Sequence, residues 1–474
     1  MRRLTAIALV PVLLATGCTV GPKYKRPTFQ PPATFYTDQQ ASATSAADLA
    51  WWEIFKDPML QGLIKEAFDK NYDLRLAVAR VEQQQALLGV AHSQYYPQVG
   101  YGGNISGQQS PTVPNHTYYA YSLTSFWEID LFGRIRKMNE AQRAVYFSSE
   151  EARRDVRLLV MAQVAQNYFQ LRALDAQMEI AHRNVASFTD TLNIFNDKFK
   201  GGAASGLEVA RAQAALSNVS AVIPDLRRQI VAQENALCLL LGRNPGPIAR
   251  GAALAEQFDP PQIPGGLPAT LLERRPDLRQ AEQNLIAANA NVGVAKANFF
   301  PTISLTALFG GASPQLSELT LSGRAWTVAG DLTGPLFTAG RLKNEYRAAF
   351  AVRDQAQISF EKLVTQAFGE VSTSLSAHDE LAKAYQEQRT CVDAYRDSVR
   401  LSMTRYDSGL SNYLEVVDAQ IQLYPAESAS ITYDLERKLA LVDLYRELGG
   451  GWSLTDAQWT TKAAAPPATQ TPTP

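Results

Sequence analysis

The 474-residue chain has little of what catalysis or cross-linking requires. It contains three cysteines, four histidines and six methionines. His92, His116, His182 and His378 are scattered and match no ligand spacing such as HExxH, and there is no CxxC, nucleophile elbow or phosphate loop. The chain therefore reads as a non-enzyme with no cofactor and no metal site. A formal net charge of −1 offers no footprint for nucleic acid. No run of about eighteen apolar residues occurs, which excludes a membrane-spanning helix. Proline is missing between Pro114 and Pro224, and again between Pro335 and Pro425. Because proline breaks helix interiors, those two gaps are where long helices can run.

What is present is a sequence written twice. A shift of 204 residues lays Asp73–Val99 on Asp277–Ile303 without a gap. Asp73, Leu74, Arg75, Ala77, Ala86, Gly89, Val90, Ala91 and Pro97 each meet an identical residue. Tyr95 and Tyr96 precede the first proline, Phe299 and Phe300 the second. A shift of 207 carries Gly133-Arg134-Ile135 onto Gly340-Arg341-Leu342. The same shift still carries Gly202 onto Gly409, and LEVARAQ from Leu207 onto LEVVDAQ from Leu414. So long a stretch of constant length suits one continuous helix in each copy. The expected division is repeat 1 over residues 57–242, a Pro-rich connector over 243–270, and repeat 2 over 271–448. A C-terminal segment and tail, 449–474, then end in AAAPPATQTPTP, which reads as disordered.

Residues 1–17 read as a signal peptide: Arg2 and Arg3, a short apolar core, then LLATGC. The junction resembles a lipobox, with cleavage before Cys18 and lipid on its thiol. An ordinary secretory signal with a chance cysteine is the alternative. Thr19 after the cysteine favours the outer membrane. Residues 18–56 read as an extended arm rich in Pro, Ala, Ser and Thr, with Trp51 and Trp52 marking where it docks. Cys238 and Cys391 invite a disulfide. Each lies on a helix leading away from a glycine turn, and at ~1.5 Å per residue their heights differ by roughly 25–30 Å. That is too far for a bridge, and both read as small buried apolar residues.

In the first proline-free stretch Ala181, Val185, Phe188, Leu192, Phe195 and Phe199 step alternately by four and three, a seam for a neighbouring helix. Gly133 to Phe199 would make a helix ~100 Å long, longer than any single globular domain is thick. Gly202 and Gly409 read as the left-handed stops at the two hairpin tips. Capping boxes are expected to open the return helices, Ser205 with Glu208 and Asn412 with Glu415.

At the other ends of these helices the apolar residues alternate. Val99, Tyr101 and Ile105 share one face. Tyr119, Tyr121, Leu123, Trp127, Ile129 and Leu131 share the next. Ile303, Leu305, Ala307 and Phe309 follow, then Trp326, Val328 and Leu332. Period two with one polar face predicts half-wet strands over 98–106, 118–131, 302–309 and 326–333, with the aromatic ends of transmembrane barrel strands. Four strands cannot close a barrel. Two copies would give eight, filled by side chains; three would give twelve and leave a passage. The polar inner faces favour the homotrimer.

These residues carry a resemblance. GCTVGPKYKRP at Gly17, WWEIFKDPML at Trp51, LFGR at Leu131, RRPDLRQAE at Arg274, FFPTISL at Phe299, RYDSGLSNYLEVVDAQ at Arg405 and LGGGW at Leu448 together resemble the TolC-like outer membrane efflux family, in the lipoprotein branch that includes OprM and NodT. The resemblance implies a mainly α fold with a small β part. Long helical hairpins would form a trimeric α-barrel continuous with a twelve-stranded β-barrel in the outer membrane. It implies a passive exit duct for drugs or other small toxic compounds, docked on a periplasmic adaptor and an inner-membrane pump of RND type. It also implies a periplasmic gate at Leu414 and Asp418, one helical turn apart on one face. There three carboxylates around an axis would repel and favour a bound cation. The first-repeat equivalents are Leu207 and Arg211. An Asp placed to suit a helix N-terminus, with Leu414 in ordinary packing, is the alternative. A periplasmic coiled-coil spacer without a channel is the competing function, and a duct for metal ions or secreted polypeptides the competing cargo. The dispersed methionines argue against a copper or silver path.

Overall fold

The computed structural model describes residues 19–29, 45–110, 113–257, 270–319, 324–455 and 458–459. The expected signal peptide, Cys18, residues 258–269 of the Pro-rich connector and the C-terminal tail lie outside them. The main elements in chain order are α1 (Pro58–Lys70), α2 (Tyr72–Ser93), β1 (Gln98–Ser110), β2 (Val113–Ile129), α3 (Arg134–Lys200) and α4 (Gly206–Leu240). Then come α5 (Pro276–Ala297), β3 (Thr302–Ser313), β4 (Arg324–Thr333), α6 (Arg341–Asp407) and α7 (Leu414–Glu447). The repeat survives in the geometry. Helices α2 and α5 each have 22 residues, and α3 and α6 each have 67. The chain sorts into two compact units, each drawing on both repeats.

The first unit comprises Met1–Phe29, Val78–Ala152 and Asp277–Leu363 and contains the sheet. Its four strands are antiparallel in the order β1-β2-β3-β4, so the two hairpins join through β2 and β3. Register places Tyr101 opposite Leu123, Leu123 opposite Phe309, and Phe309 opposite Trp326. Cross-strand partners share a face, so all four predicted apolar sets fall on one side of one sheet. That side is open, with Tyr101 91% and Trp326 74% exposed. The other side is mostly small or polar, with pairs such as Gly100 with Thr124, Gly102 with Ser122 and Ser304 with Asp331, and it also carries Phe126 and Leu308. Leu131, expected in the second strand, lies beyond it. The chain leaves the ladder at Ile129, and the Asp130 carboxylate turns to cap α3, accepting from Ile135 N at 3.2 Å and Arg136 N at 2.9 Å.

Residues 19–29 are seated on this unit. Val20 N donates to Phe132 O at 3.2 Å, and Asn289 Nδ2 donates to Pro22 O at 3.2 Å. Glu282 receives both the Tyr24 hydroxyl at 2.9 Å and Arg26 Nη2 at 2.5 Å. Phe132 stacks on Phe300 with centroids 4.7 Å apart. The expected arm is thus pinned, at its described end, beside the junction between β2 and α3.

The second unit comprises Gln30–Ala77, Arg153–Pro276 and Val364–Pro474. Its core gathers Trp51, Ile54 and Phe55 with Leu60, Ile64, Phe169 and Tyr445, all buried. Asp57 organises the polar part. It caps α1 through Met59 N at 2.8 Å and accepts from the Tyr168 hydroxyl and Gln257 Nε2, each at 2.8 Å. Burial first, then the bond to Asp57, pushes the Tyr168 phenol well above its ordinary pKa, so it stays a donor. Fully buried Lys438 donates to Gln257 O at 2.9 Å. Cys238 and Cys391 are free thiols. Cys238 is buried, whereas Cys391, also expected to be buried, is only partly so.

Each return helix contains a proline, Pro224 in α4 and Pro425 in α7. The proline-free stretches hold α3 and α6 as expected, and each return helix runs on past its exposed proline, forgoing one backbone hydrogen bond.

All four hairpin helices end on a glycine with positive φ: Gly202 at 75°, Gly242 at 66°, Gly409 at 69° and Gly449 at 73°. The pairs are related by 207 residues, and each shows the crossed bonds of a Schellman turn, such as Arg243 N to Cys238 O at 3.0 Å and Gly242 N to Leu239 O at 3.1 Å. Their surroundings differ. A Cβ on Gly202 or Gly409 would meet open space. On Gly242 it would overlap the Lys70 carbonyl oxygen, and on Gly449 it would lie 3.0 Å from the Arg274 carbonyl. Alanine at Gly202 or Gly409 should cost ~1–2 kcal/mol of left-handed strain. Alanine at Gly242 or Gly449 should cost a further ~1–3 kcal/mol from the collision. Denaturant midpoints by circular dichroism in detergent test this, and four equal losses would refute it.

Candidate functional site

At the hairpin tips the two copies differ in charge, Arg211 of the first standing where the second has Asp418. Helix α3 stops in a Schellman turn, Gly202 N to Phe199 O at 3.0 Å and Ala203 N to Lys198 O at 2.8 Å. Helix α6 stops in the same way, Gly409 N to Tyr406 O and Leu410 N to Arg405 O, both at 2.9 Å. Both turns need the left-handed conformation that glycine supplies. The first return helix opens with the expected capping box: Ser205 N donates to Glu208 Oε2 at 2.7 Å, and Glu208 N to Ser205 Oγ at 3.4 Å. The second does not. Tyr413 takes the N-cap position without a side-chain bond, Asn412 Oδ1 accepts from Leu414 N at 3.1 Å, and Glu415 is drawn to Arg405 Nε at 3.3 Å. The box expected at Asn412 and Glu415 is replaced by an Asx-type turn and an ion pair.

The reason is Tyr413. It stands where the first repeat has Gly206, and at 4% exposure it is buried in the tip core with Phe195, Ala212, Val416 and Val417. Its ring meets Phe195 edge-on at 4.9 Å and Tyr406 at 4.7 Å. Its hydroxyl lies 3.0 Å from Thr191 Oγ1. Two turns later Gln420 Nε2 donates to Ser187 Oγ at 3.0 Å. Further on, buried Glu427 sits between Arg183 of α3 at 3.4 Å and Arg396 of α6 at 2.8 Å. The start of α7 is thereby tied to α3 by an aromatic lock and two polar rungs. Heptad stepping picked out Phe188 and Phe195 but not their partner. The signal was there: a tyrosine replacing a glycine between otherwise matching repeats.

With Tyr413 turned inward, Leu414 and Asp418 face out. Leu414 is 53% exposed, and Asp418 is exposed one turn on. Leu207 is 60% exposed, with Arg211 a turn beyond it. Leu207, Arg211, Leu414, Val417, Ile421 and Tyr424 line one groove of about 890 Å³ between α4 and α7. Burial raises the Tyr424 phenol above its ordinary pKa, keeping it neutral. Among the described residues no cluster of His, Cys, Asp or Glu is placed to hold a metal ion, and no helix is long and apolar enough to cross a membrane.

The model of the outer membrane efflux protein family matches residues 63–243 and 267–450, one match to each repeat. The chain belongs to that family. It is 34% identical over 469 residues to the solvent efflux pump outer membrane protein SrpC of Pseudomonas putida, covering 95% of this chain and 99% of that one. It is 30% identical to the probable outer membrane lipoprotein SilC of Salmonella typhimurium, covering 95% and 100%. Among solved structures, the open state of the MtrE outer membrane channel of Neisseria gonorrhoeae superposes with a TM-score of 0.85 at 33% identity, covering 92% of this chain and 99% of that one. The fold is that of the TolC-type channels, long helical hairpins with a small sheet, and the protein is an outer-membrane channel for efflux. The family is one of transport channels rather than enzymes.

Tyr413→Phe keeps both ring contacts and deletes the hydroxyl facing Thr191. Amides in the first turn of α7 should then exchange with solvent about five-fold faster, the effect of one net hydrogen bond. Thr191→Val should add nothing in that background. Exchange equal to the parent would show that the hydroxyl pair contributes nothing.

Proposed function

We propose that three copies of this chain close a twelve-stranded barrel and form the exit duct of a tripartite efflux system for small, apolar toxic compounds. The observation that carries this is the sheet: four strands in a row, apolar on one side, small and polar on the other, with β1 and β4 each paired on one edge only among the described residues. In hydrocarbon an unpaired strand edge leaves each backbone group short of a partner at several kcal/mol. Further copies supply the partners, and three give a bore wide enough for cargo. The cargo class is supported by the absence of clustered soft metal ligands and by the solvent efflux relative. A periplasmic adaptor and an RND-type inner-membrane pump complete the path, as the family's architecture implies.

In this reading Leu414 and Asp418 repeat three times around the axis near the periplasmic tip and close it. The leucines form a dry constriction, which excludes water and ions until the ring widens. Leu414→Ser with Asp418→Ala should raise single-channel conductance in planar bilayers and sensitise cells to vancomycin. A double variant that is trimeric by mass in detergent yet conducts like the parent would place the constriction elsewhere.

Cys18 carries lipid in this reading. Thr19 and Val20 lie against Gly133 and Phe132, at the foot of β2, so acyl chains on the preceding residue would enter the leaflet beside the barrel. Cys18→Ala should abolish palmitate labelling and leave the trimer intact, because the strands themselves hold the membrane. Undiminished labelling would remove the anchor from Cys18.

A further inference from the structure

We infer that the groove between α2 and α3, just below the sheet, holds the phosphate headgroup of an anionic phospholipid, with Arg143 as its principal cation. The inference rests on the barrel reading above. The groove has a volume of about 610 Å³. Gln85, Leu88, His92 and Tyr95 line one wall, and Arg136 and Arg143 the other. That is the size of an ordinary small-molecule site. Its two helices are tied together by Asn139 Nδ2, which donates to Ala91 O at 2.9 Å, and by Gln142 Nε2, which donates to Gln84 Oε1 at 3.0 Å.

The groove opens on the lipid side of the sheet. Trp127 stands on the apolar side of β2, opposite Leu305, and its Nε1 donates to Tyr95 O at 2.9 Å. Glu128, the next residue, stands on the polar side and holds Arg134 at 2.6 Å. Arg134 and Arg136 leave α3 about 200° apart, so Arg136 comes out on the side that Trp127 faces. Arg143 follows two turns further along that face, ~10 Å away. Side chains of a helix lean toward its N-terminus, which for α3 is the end nearest the sheet. Below the hydrocarbon that covers Trp127, headgroups begin, and Arg143 reaches up toward that level.

The chemistry suits a phosphodiester. Arg136 is held by Asp130 at 3.1 Å, and Glu140, which also lines the groove, is held by Lys137 at 2.7 Å. Arg143 is exposed, with its guanidinium over the Phe147 ring at 5.4 Å and no ion pair among the described residues. The groove therefore keeps one uncompensated positive charge. Burial, then the charge of Asp130, raises the Tyr95 phenol above its ordinary pKa, so it stays a hydroxyl donor. The His92 ring stands edge-on to it at 5.5 Å and brings a ring N–H. A guanidinium, a phenol and an imidazole around one concavity match a cluster of anionic oxygens, and Leu88 offers the glycerol an apolar wall.

The test is native mass spectrometry of the full-length trimer in mild detergent with added phosphatidylglycerol or phosphatidylcholine. The parent should retain one phosphatidylglycerol per copy with about five-fold preference over phosphatidylcholine, the weight of one basic side chain at an anionic lipid surface. Arg143→Gln should abolish the preference and Arg143→Lys should keep it. Arg227→Gln, which removes an exposed cation from α4, should leave it unchanged. Excess inorganic phosphate should not displace the lipid; displacement would make the groove a site for free anions and overturn the lipid assignment. A trimer that conducts in bilayers but shows no preference, or one in which Arg143→Gln retains it, overturns the groove and leaves the duct standing. A chain that neither trimerises nor conducts overturns the barrel reading itself.

Discussion

A peptide group in hydrocarbon has no solvent to bond with, and this constraint reaches furthest through the molecule. It forces the four strands into one sheet and leaves two edges that only other copies can complete. It also explains the composition of the strands. The outward side can be apolar because lipid covers it, and the inward side must be small as well as polar, because a closed sheet crowds its concave face. Gly100, Gly102 and Ser122 meet that second demand. The helical part answers a different problem, that of length. A helix of 67 residues is too long for one globule, so α3 lends Phe169 to the core of the second unit and carries Phe188 and Phe195 along a seam farther on.

Much of this was legible in the sequence because it depends on spacing. The duplicated segments fix equal helix lengths, and the alternation fixes which side of each strand is apolar. The four separately read strand faces prove to be one continuous surface, which period-two reasoning on each strand could not reveal but does permit. The glycine stops were legible for the same reason: only one residue type fits the left-handed turn. Gly242 and Gly449 follow the same 207-residue rule as the tip glycines and could have been found by extending it.

The features that were not legible depend on partners far apart in the chain. Tyr413 reads as one tyrosine among nineteen until Thr191 and Phe195 are beside it, and its burial then overrides the local preference for a capping box. Asp57 reads as a helix cap and is one, but its second oxygen holds Tyr168 and Gln257, more than a hundred residues away. Glu427 looks like one more solvated carboxylate and lies buried between two arginines. In each case a polar group is enclosed by helices from different parts of the chain, and single-sequence periodicity is blind to that.

The prolines in the return helices have a mechanical consequence. Each hairpin couples an uninterrupted 67-residue rod to a second rod with one missing rung, so bending stiffness is lowest at the proline. Pro425 lies 11 residues into α7, ~17 Å along the helix, whereas Pro224 lies 18 residues into α4, ~27 Å. The two hairpins are therefore levers of unequal arm. An equal displacement of both tips turns the second through the larger angle, and its weak point falls two residues before Glu427, where Arg183 and Arg396 clamp it. The fulcrum of the shorter lever is thus held by charge, while its free end carries Leu414.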